Sequence, residues 1–433
     1  MAGDFSVTHS AGDTSIRSLR SEKPLRFTGG NLTITEASTV TNFTWSAGNL
    51  TLPGGLTNLD TTQITGGNNR VLSGVLINAK EVIQTGNAVV LAEGAEIRNQ
   101  AGALYLMESG SLTYSGGSPD TRSLRNEGTL RKSTGSTVDV LVSFHQIGGK
   151  LEILGGALRL RGGGANQGGE YEVAEGTELR YQEGTHRFAG TFNGTGEGRV
   201  VFNGAQIVIE EDGATVDFAG NLLHWTANRI DANGSLTNLN QFNITGGNNR
   251  TLSGTLINRG LIVHNDNSLF LDTEALISNA VDQVYQMGSG SLTFSGGNAS
   301  SRVFDNRGVF RKSTGSTIDV HVTFNVTDSK VEVEAGALRI RSLGNYQNAI
   351  FEVAAGTNLQ FLEGTHNFSG ETIGVGEGRV LFNGGLIEFS GEDARLSFPG
   401  PMLEWSVNQI NALEGVVVTQ QLNNIGGNNR TLN

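Results

Sequence analysis

The string Gly66-Gly67-Asn68-Asn69-Arg70 decides the fold, because the chain repeats it at a fixed interval. It returns at 246–250 and again at 426–430, so each copy starts 180 residues after the one before it. Self-similarity at a constant period is the signature of a repeat architecture, in which one structural unit is copied along the chain. The spacing therefore predicts a 180-residue repeat, with two full copies and part of a third.

Other segments keep the same interval. The string RKSTGST at 131–137 returns at 311–317, in the same register as the first string. The 3 tryptophans of the chain share this register: Trp45, Trp225 and Trp405. The predicted copies are 46–225, 226–405 and the partial copy 406–433.

Inside each copy, short runs alternate apolar and polar residues, as in Val331-Glu332-Val333 and Leu338-Arg339-Ile340. A period of two is typical of a strand with one buried face. Clusters of Gly, Asn and Ser separate these runs, and such residues tolerate the positive φ of tight corners. Since no long stretch has a period of 3.6, we expect negligible α-helix.

A finer interval of about 20 residues runs within the copies. Asn78 and Asn99 lie 21 residues apart, and Gly128, Gly148 and Gly168 follow one another at intervals of 20. A unit of this length, with two or three short strands, describes one coil of a parallel β-solenoid. The asparagines that mark the repeat are Asn78, Asn99, Asn126, Asn258, Asn279 and Asn306.

These patterns predict an all-β chain: a single elongated parallel β-helix of about 20 coils, each of about 20 residues. At about 4.8 Å per coil the rod would be on the order of 100 Å long. Strand crossovers are mostly right-handed, which favours a right-handed coil. A row of β-sandwiches is the rival interpretation, but sandwiches would lack the 20-residue rhythm.

The two ends of the sequence differ from the repeat. Residues 1–27 carry a cluster of charges and Pro24, which predicts an N-terminal cap on a continuous solenoid over 28–433. The sequence stops inside the repeated string, at Asn428 to Asn433. From this we expect either a fragment of a longer protein or an open end that meets another subunit.

Composition excludes several function classes. The 433 residues include 62 Gly and no Cys, so disulfides, thiolate metal sites and cysteine nucleophiles are excluded. A net charge of -12 leaves no excess cations to neutralise phosphates, which argues against nucleic-acid binding. No apolar run is long enough to predict a transmembrane segment, and the first residues do not resemble an export signal.

Two neighbouring segments resemble a known class of protein. Residues 304–315, FDNRGVFRKSTG, and residues 331–340, VEVEAGALRI, look like successive Asn-x-Gly coils of Gly-rich, repetitive bacterial cell-surface proteins. The resemblance, to adhesin-like extracellular β-helix proteins, covers most of the chain from about Phe27 onward. It implies export and an extracellular or cell-surface location.

No catalytic, cofactor-binding or metal-binding constellation is predicted. The 7 histidines form no closely spaced ligand pair, and only His186 and His366 occupy equivalent positions, where a structural hydrogen bond is expected. The recurring acids Glu172 and Glu352, like Glu183 and Glu363, are spaced so that they fall on different faces of the coils. Solvated outward charges explain them better than an active site.

The repeated basic pairs are the candidate ligand contacts. Arg131-Lys132 and Arg311-Lys312 lie beside Ser-Thr-Gly-Ser-Thr and could touch an anionic surface glycan. The competing interpretation is an exposed corner whose cations balance neighbouring glutamates. The tryptophans likewise have two interpretations: a large side chain that fills the coil, or a platform for sugar rings.

Together these observations predict a structural or adhesive rod of a bacterial surface or extracellular protein, without enzymatic activity or cofactor. Its partners would be surface glycans or other copies of itself. One alternative is a filament subunit that stacks end to end. Another is a β-helix protein that binds or degrades polysaccharides.

Overall fold

The alternating runs form short parallel strands that stack coil upon coil. In the computed structural model the described residues are 6–391, 393–406, 408–412, 415–425 and 430–433. They form a parallel β-solenoid of about 20 turns with 60% strand and 1% helix. The predicted all-β solenoid is therefore confirmed.

The strands are short and their bounds follow the repeat. The first group is β1 (Val7–His9), β2 (Asp13–Ile16), β3 (Arg20–Ser21), β4 (Leu25–Phe27), β5 (Asn31–Ile34), β6 (Ser38–Trp45), β7 (Asn49–Ile64), β8 (Arg70–Asn78), β9 (Glu81–Gln84), β10 (Val89–Leu91), β11 (Glu96–Asn99), β12 (Leu104–Met107), β13 (Leu112–Tyr114), β14 (Ser123–Asn126), β15 (Thr129–Lys132), β16 (Thr137–Val140) and β17 (Ser143–Ile147). The second group is β18 (Lys150–Ile153), β19 (Ala157–Leu160), β20 (Gly164–Val173), β21 (Glu178–Tyr181), β22 (Thr185–Thr195), β23 (Arg199–Asn203), β24 (Gln206–Phe218), β25 (Leu223–Asn238), β26 (Gln241–Ile244), β27 (Arg250–Asn258), β28 (Leu261–His264), β29 (Leu269–Leu271), β30 (Leu276–Asn279), β31 (Val284–Met287), β32 (Leu292–Thr293), β33 (Val303–Asn306) and β34 (Val309–Lys312). The third group is β35 (Thr317–Val320), β36 (Thr323–Thr327), β37 (Lys330–Val333), β38 (Ala337–Ile340), β39 (Gly344–Gln347), β40 (Ile350–Val353), β41 (Asn358–Phe361), β42 (Thr365–Ser369), β43 (Glu371–Val375), β44 (Arg379–Phe382), β45 (Leu386–Phe389), β46 (Arg395–Ser397), β47 (Leu403–Trp405), β48 (Asn408–Asn411), β49 (Val417–Val418), β50 (Asn423–Asn424) and β51 (Arg430–Leu432).

Helix is almost absent from the described part of the chain. Two 3₁₀ helices of three residues, Pro119–Thr121 and Ala299–Ser301, occupy equivalent places in the two copies. Neither they nor any other segment that the structure describes is a helix long and apolar enough to cross a membrane.

The register of neighbouring coils separates an apolar interior from a polar exterior. On β8, β11, β14 and β17, a column of apolar side chains is buried: Leu76, Ile97, Leu124 and Phe144. The next position along the same strands points outward, where Arg98, Arg125 and His145 are aligned. Because successive side chains of a strand face opposite sides, the outward side chains of stacked strands line up in such columns.

The chain divides into two compact units. Unit 1 consists of residues 1–210 and 216–223, and unit 2 of residues 211–215 and 224–433. In unit 2 the interior is rich in aromatic rings, with Phe310 packed against Phe304 and Phe324 at centroid distances of 5.3 and 5.0 Å. Unit 1 has leucines at two of these three places, Leu124 and Leu130, both buried.

The segment predicted as a cap contains paired strands. β1 pairs in parallel with β4, and β2 pairs with β5. Leu25 is the first buried residue of the described chain, so the strands before it have no apolar interior of their own. The capping role of residues 1–27 stays a prediction. Of the third GGNNR string, residues 426–429 lie outside the described residues.

Candidate functional site

The two members of each predicted basic pair face opposite sides of their strand. On β15, Arg131 points outward, whereas Lys132 is completely buried. The Nζ of Lys132 donates hydrogen bonds to the backbone oxygen of Thr134 and, at 2.8 Å, to its Oγ1. Burial lowers the pKa of Lys132, with a smaller opposing effect from Glu108.

The second pair repeats this arrangement. Lys312 is buried, and its Nζ donates to the backbone oxygens of Thr314 and, at 3.1 Å, Ala335. Burial lowers its pKa also. An ammonium group enclosed in this way cannot reach a ligand on the surface, so the lysines hold the turn together. The predicted glycan contact stays a prediction for Arg131 and Arg311 alone.

Arg131 belongs to a cluster of charges on the outer side of three successive coils. We call this cluster the charged face of unit 1: Arg131, Lys150, Glu152 and Glu172. The Nε of Arg131 donates to Glu152. Lys150 bridges Glu152 and Glu172 at 2.7 and 2.8 Å. Neighbouring coils are thus joined by alternating positive and negative charges.

Unit 2 carries a matching charged face made of Arg311, Lys330, Glu332 and Glu352. The Nε of Arg311 lies 2.6 Å from Glu332. Lys330 again bridges two glutamates, Glu332 at 3.2 Å and Glu352 at 2.9 Å. The side chains of Arg311 and Lys330 are 32% and 34% exposed, so both are accessible to a partner.

The pairing changes how these groups titrate. Burial alone would raise the pKa of Glu152, but the hydrogen bonds from Arg131 and Lys150 together bring it below its usual value. The hydrogen bonds that Lys150 donates to Glu152 and Glu172 raise its pKa. Both groups therefore stay charged over a wide pH range, and the face offers fixed opposite charges rather than a proton donor or acceptor.

The asparagine markers form a buried ladder inside each unit. In unit 1 the Nδ2 of Asn78 donates to the Oδ1 of Asn99 at 2.7 Å, and Asn99 donates to Asn126 at the same distance. Each Nδ2 also donates to a backbone oxygen of the next coil, such as Leu104 at 2.8 Å from Asn78. Asn126 ends the ladder on the Oε1 of Gln146 at 2.9 Å.

The equivalent ladder of unit 2 runs through Asn258, Asn279 and Asn306, with side-chain contacts of 2.8 and 2.7 Å. It ends at 3.1 Å on the Oγ of Ser329. The first rung of each ladder, Asn58 in unit 1 and Asn238 in unit 2, was not among the predicted asparagines. A signal was present, because both lie 20 residues before the next rung and occupy equivalent positions in the two copies.

The string GGNNR is also explained by an internal contact. Arg70 is fully buried, and its guanidinium donates to the backbone oxygens of Asn68 at 2.8 Å and Asn87 at 3.1 Å. The guanidinium of Arg250 likewise donates to the backbone oxygens of Thr245 at 2.6 Å and Asn267 at 2.7 Å. The arginine thus holds the turn that its own string forms, and burial lowers its pKa in both copies.

The tryptophans lie in the interior. Trp45 and Trp225 are fully buried, and Trp405 is 8% exposed. The indole Nε1 of Trp225 donates to the backbone oxygen of Ala227 at 3.1 Å, and its ring stacks on Phe242. Buried faces are not accessible for stacking on a sugar, so these residues fill the coil.

Equivalent histidines are buried as well. The Nε2 of His186 lies 3.0 Å from the backbone oxygen of Glu183, and burial lowers the pKa of the ring to about 4. Burial lowers the pKa of His366 to about 4 too. The residues that the structure describes contain no group of three or more metal-binding side chains.

Comparison of the chain with protein families, with curated proteins and with solved structures finds no match in any of the three. The structure shows a repetitive β-helix protein, which agrees with the repeated β-helix architecture expected from the sequence.

Proposed function

We propose that this chain is a structural and adhesive element of a bacterial surface or extracellular protein. The supporting observation concerns the polar residues that recur at the 180-residue interval, some of which are buried and some partly exposed. Buried asparagine, arginine and lysine side chains that recur join neighbouring coils or hold turns. Among the partly exposed residues that recur, one set of four in each unit forms the charged face.

The charged face suits weak, repeated attachment. Each face presents an arginine and a lysine at about one-third exposure beside carboxylates. An exposed ion pair contributes little to stability, so its partners can exchange for charges on another surface at small cost. Because the chain carries two such faces, attachment through both would be stronger than through either one.

The test is adhesion under flow. Beads coated with the chain would be passed over immobilised anionic glycans, and the double variant Arg131→Ala with Arg311→Ala should be retained several-fold less than the unchanged chain. Arg17→Ala is the matched control, because Arg17 also pairs with a glutamate, Glu36, but lies outside both faces. Equal retention of all three, or no retention of the unchanged chain, would overturn the proposal.

Self-assembly is the competing role and needs a separate measurement. Light scattering across a concentration series, with negative-stain microscopy of each sample, distinguishes the two. Discrete particles at every concentration support an adhesive element, whereas growth into uniform fibres would make assembly the function.

A further inference from the structure

Unit 1 has a groove on its outer surface that the charged face does not include. Its floor is one outward column on four successive coils: Arg125, His145, Ala165 and Arg187. At about 4.8 Å per coil, the column extends over about 14 Å. Two adjoining cavities, of about 560 and 330 Å³, share His145 and Ala165. Such volumes suit a small polar ligand.

Ala165 creates the groove. Its methyl group is much shorter than the two side chains beside it in the column, His145 and Arg187, so a gap opens between them. The backbone next to it is equally bare, because residues 162–164 are all glycine. Only glycine fits there: a Cβ on Gly162 would lie 2.2 Å from the oxygen of Val142, and one on Gly164 would lie 2.0 Å from that of Phe144.

The same column in unit 2 is filled. Its residues are Asp305, Asn325, Asn345 and Asn367. Asn345 stands where unit 1 has Ala165, and its Nδ2 donates to the Oδ1 of Asn325 at 3.2 Å. The two copies therefore differ at a surface column in both charge and space.

The polar side chains of the groove have defined partners. The Nδ1 of His145 accepts a hydrogen bond from the backbone N–H of Ala165 at 3.2 Å, which leaves the proton on Nε2. Burial lowers the pKa of His145, with smaller effects from Glu96 and Arg125, so the ring is neutral at pH 7. Arg125 forms an ion pair with Glu127 at 2.6 Å, and Arg187 forms one with Glu210 at 3.0 Å.

Each cavity contains one cation and one carboxylate. The larger is lined by Arg187 and Asp120, and the smaller by Arg125 and Glu96. Asp120 is oriented by hydrogen bonds from the hydroxyl of Ser118 at 3.2 Å and that of Ser143 at 3.5 Å. The lining thus offers both donors and acceptors with no net charge.

We propose that this groove binds a short neutral oligosaccharide. Sugar hydroxyls both donate and accept hydrogen bonds, and each cavity offers them an arginine as donor and a carboxylate as acceptor. A strongly anionic chain would meet Asp120 and Glu96 as well as the arginines, so charge balance favours a neutral one. This inference adds a site to the adhesive role proposed above and does not depend on the charged faces.

The test is titration calorimetry of the whole chain with four neutral sugars, the cello-, malto-, manno- and xylo-oligosaccharides, and with anionic oligogalacturonates. The neutral sugars are the expected ligands. At least one of them should bind, and Ala165→Asn, which introduces the residue of unit 2, should weaken it at least tenfold. His145→Asn, again the residue of unit 2, should weaken it several-fold. Asn367→Ala, in the filled column of unit 2, is the control and should change nothing.

Three results would overturn the proposal: no binding of any neutral sugar, binding confined to oligogalacturonates, or binding that both unit 1 variants leave intact. Circular dichroism of each variant shows whether the fold is kept. The outcome is independent of the adhesion assay, because the variants of the charged faces keep the groove unchanged.

Discussion

Unit 1 and unit 2 contain the same asparagine ladder but end it differently, on Gln146 in one and on Ser329 in the other. The two terminal side chains come from non-equivalent positions, yet each supplies an acceptor to the last Nδ2. Since a buried amide without an acceptor is costly, what the two units share is the hydrogen bond rather than the residue.

Another buried position shows the same rule. Gln84 of unit 1 accepts a hydrogen bond from Tyr105 at 2.8 Å. Unit 2 has His264 there, with its Nδ1 3.1 Å from the hydroxyl of Tyr285. The histidine gives the same contact but adds a titratable group. At this contact the two units are thus alike in geometry but differ in whether the side chain that faces the tyrosine can titrate.

The ladder predicts the largest effect. Replacing Asn279 by alanine removes its bonds to Asn306 and Val309 and leaves the Nδ2 of Asn258 without its side-chain acceptor. We expect unit 2 to lose about 3–5 kcal/mol of unfolding free energy. Hydrogen exchange of the backbone amides of unit 2, followed across a series of denaturant concentrations, measures this loss of unfolding free energy. Asn345→Ala, at an exposed position where unit 1 has Ala165, should cost less than about 1 kcal/mol.

The equivalent substitution in unit 1 is Asn99→Ala. Asn99 makes the same contacts in unit 1, at 2.7 Å to Asn126 and 2.9 Å to Thr129, so unit 1 should lose a similar amount. A cost under about 1 kcal/mol in either unit would mean that the ladder is not what holds the coils together.

Acid should separate the two units. Burial lowers the pKa of His264 to about 4 from an ordinary 6.5, so between these values the unfolded chain binds a proton that the folded chain does not. The contribution of His264 to stability is therefore present above pH 6.5 and is lost as the pH falls towards 4, by about 3 kcal/mol.

His264→Gln should remove this part of the acid sensitivity of unit 2, and Gln84→His should introduce it into unit 1. Unfolding free energies at pH 7 and pH 4, followed in each unit by hydrogen exchange, measure both changes. If the acid sensitivity of His264→Gln equals that of the unchanged chain, the histidine is not the source.

Aromatic packing should have a smaller effect. Phe310→Leu introduces the residue that unit 1 has as Leu130, and it removes ring contacts with Phe304 and Phe324. We expect a loss of about 1–2 kcal/mol in unit 2. The reverse change, Leu130→Phe, should also destabilise, because it adds volume to a filled interior. A stabilising result for Leu130→Phe would show that unit 1 is loosely packed there.

The charged face should contribute least to stability. Arg311→Ala removes pairs with Glu332 and Glu334 that are partly exposed, and Lys330 still pairs with Glu332. A loss under about 1 kcal/mol is expected, smaller still at high salt. Thermal unfolding at 0.05 and 1 M salt checks this, and a salt-independent loss above about 2 kcal/mol would contradict it.

The coil was predictable because its periods are short. Alternation of two residues gave the strands, and the recurring Asn and Gly corners gave the coil length. The burial of Lys132 was also predictable, although we expected its side chain to face outward. Leu130 lies two residues earlier on the same strand and points inward, so the side chain of Lys132 points inward as well.

The groove could not be predicted in this way. Its column joins residues from four coils, and coil lengths vary, as shown by the steps of 21 and 27 residues between Asn78, Asn99 and Asn126. A sequence does not reveal which residues align until every coil length is known. The gap at Ala165 also depends on the size of its neighbours rather than on any motif.

The asparagine ladder also bears on how such a chain can grow by gene duplication. Every rung donates to the rung that follows it, so the ladder has a direction and a last member. A segment the length of one copy, such as 46–225, contains a complete ladder, from Asn58 to Gln146, together with the side chain that ends it. Copying that segment adds coils without cutting a ladder, whereas copying a part that ends inside the ladder would leave a buried amide without its acceptor.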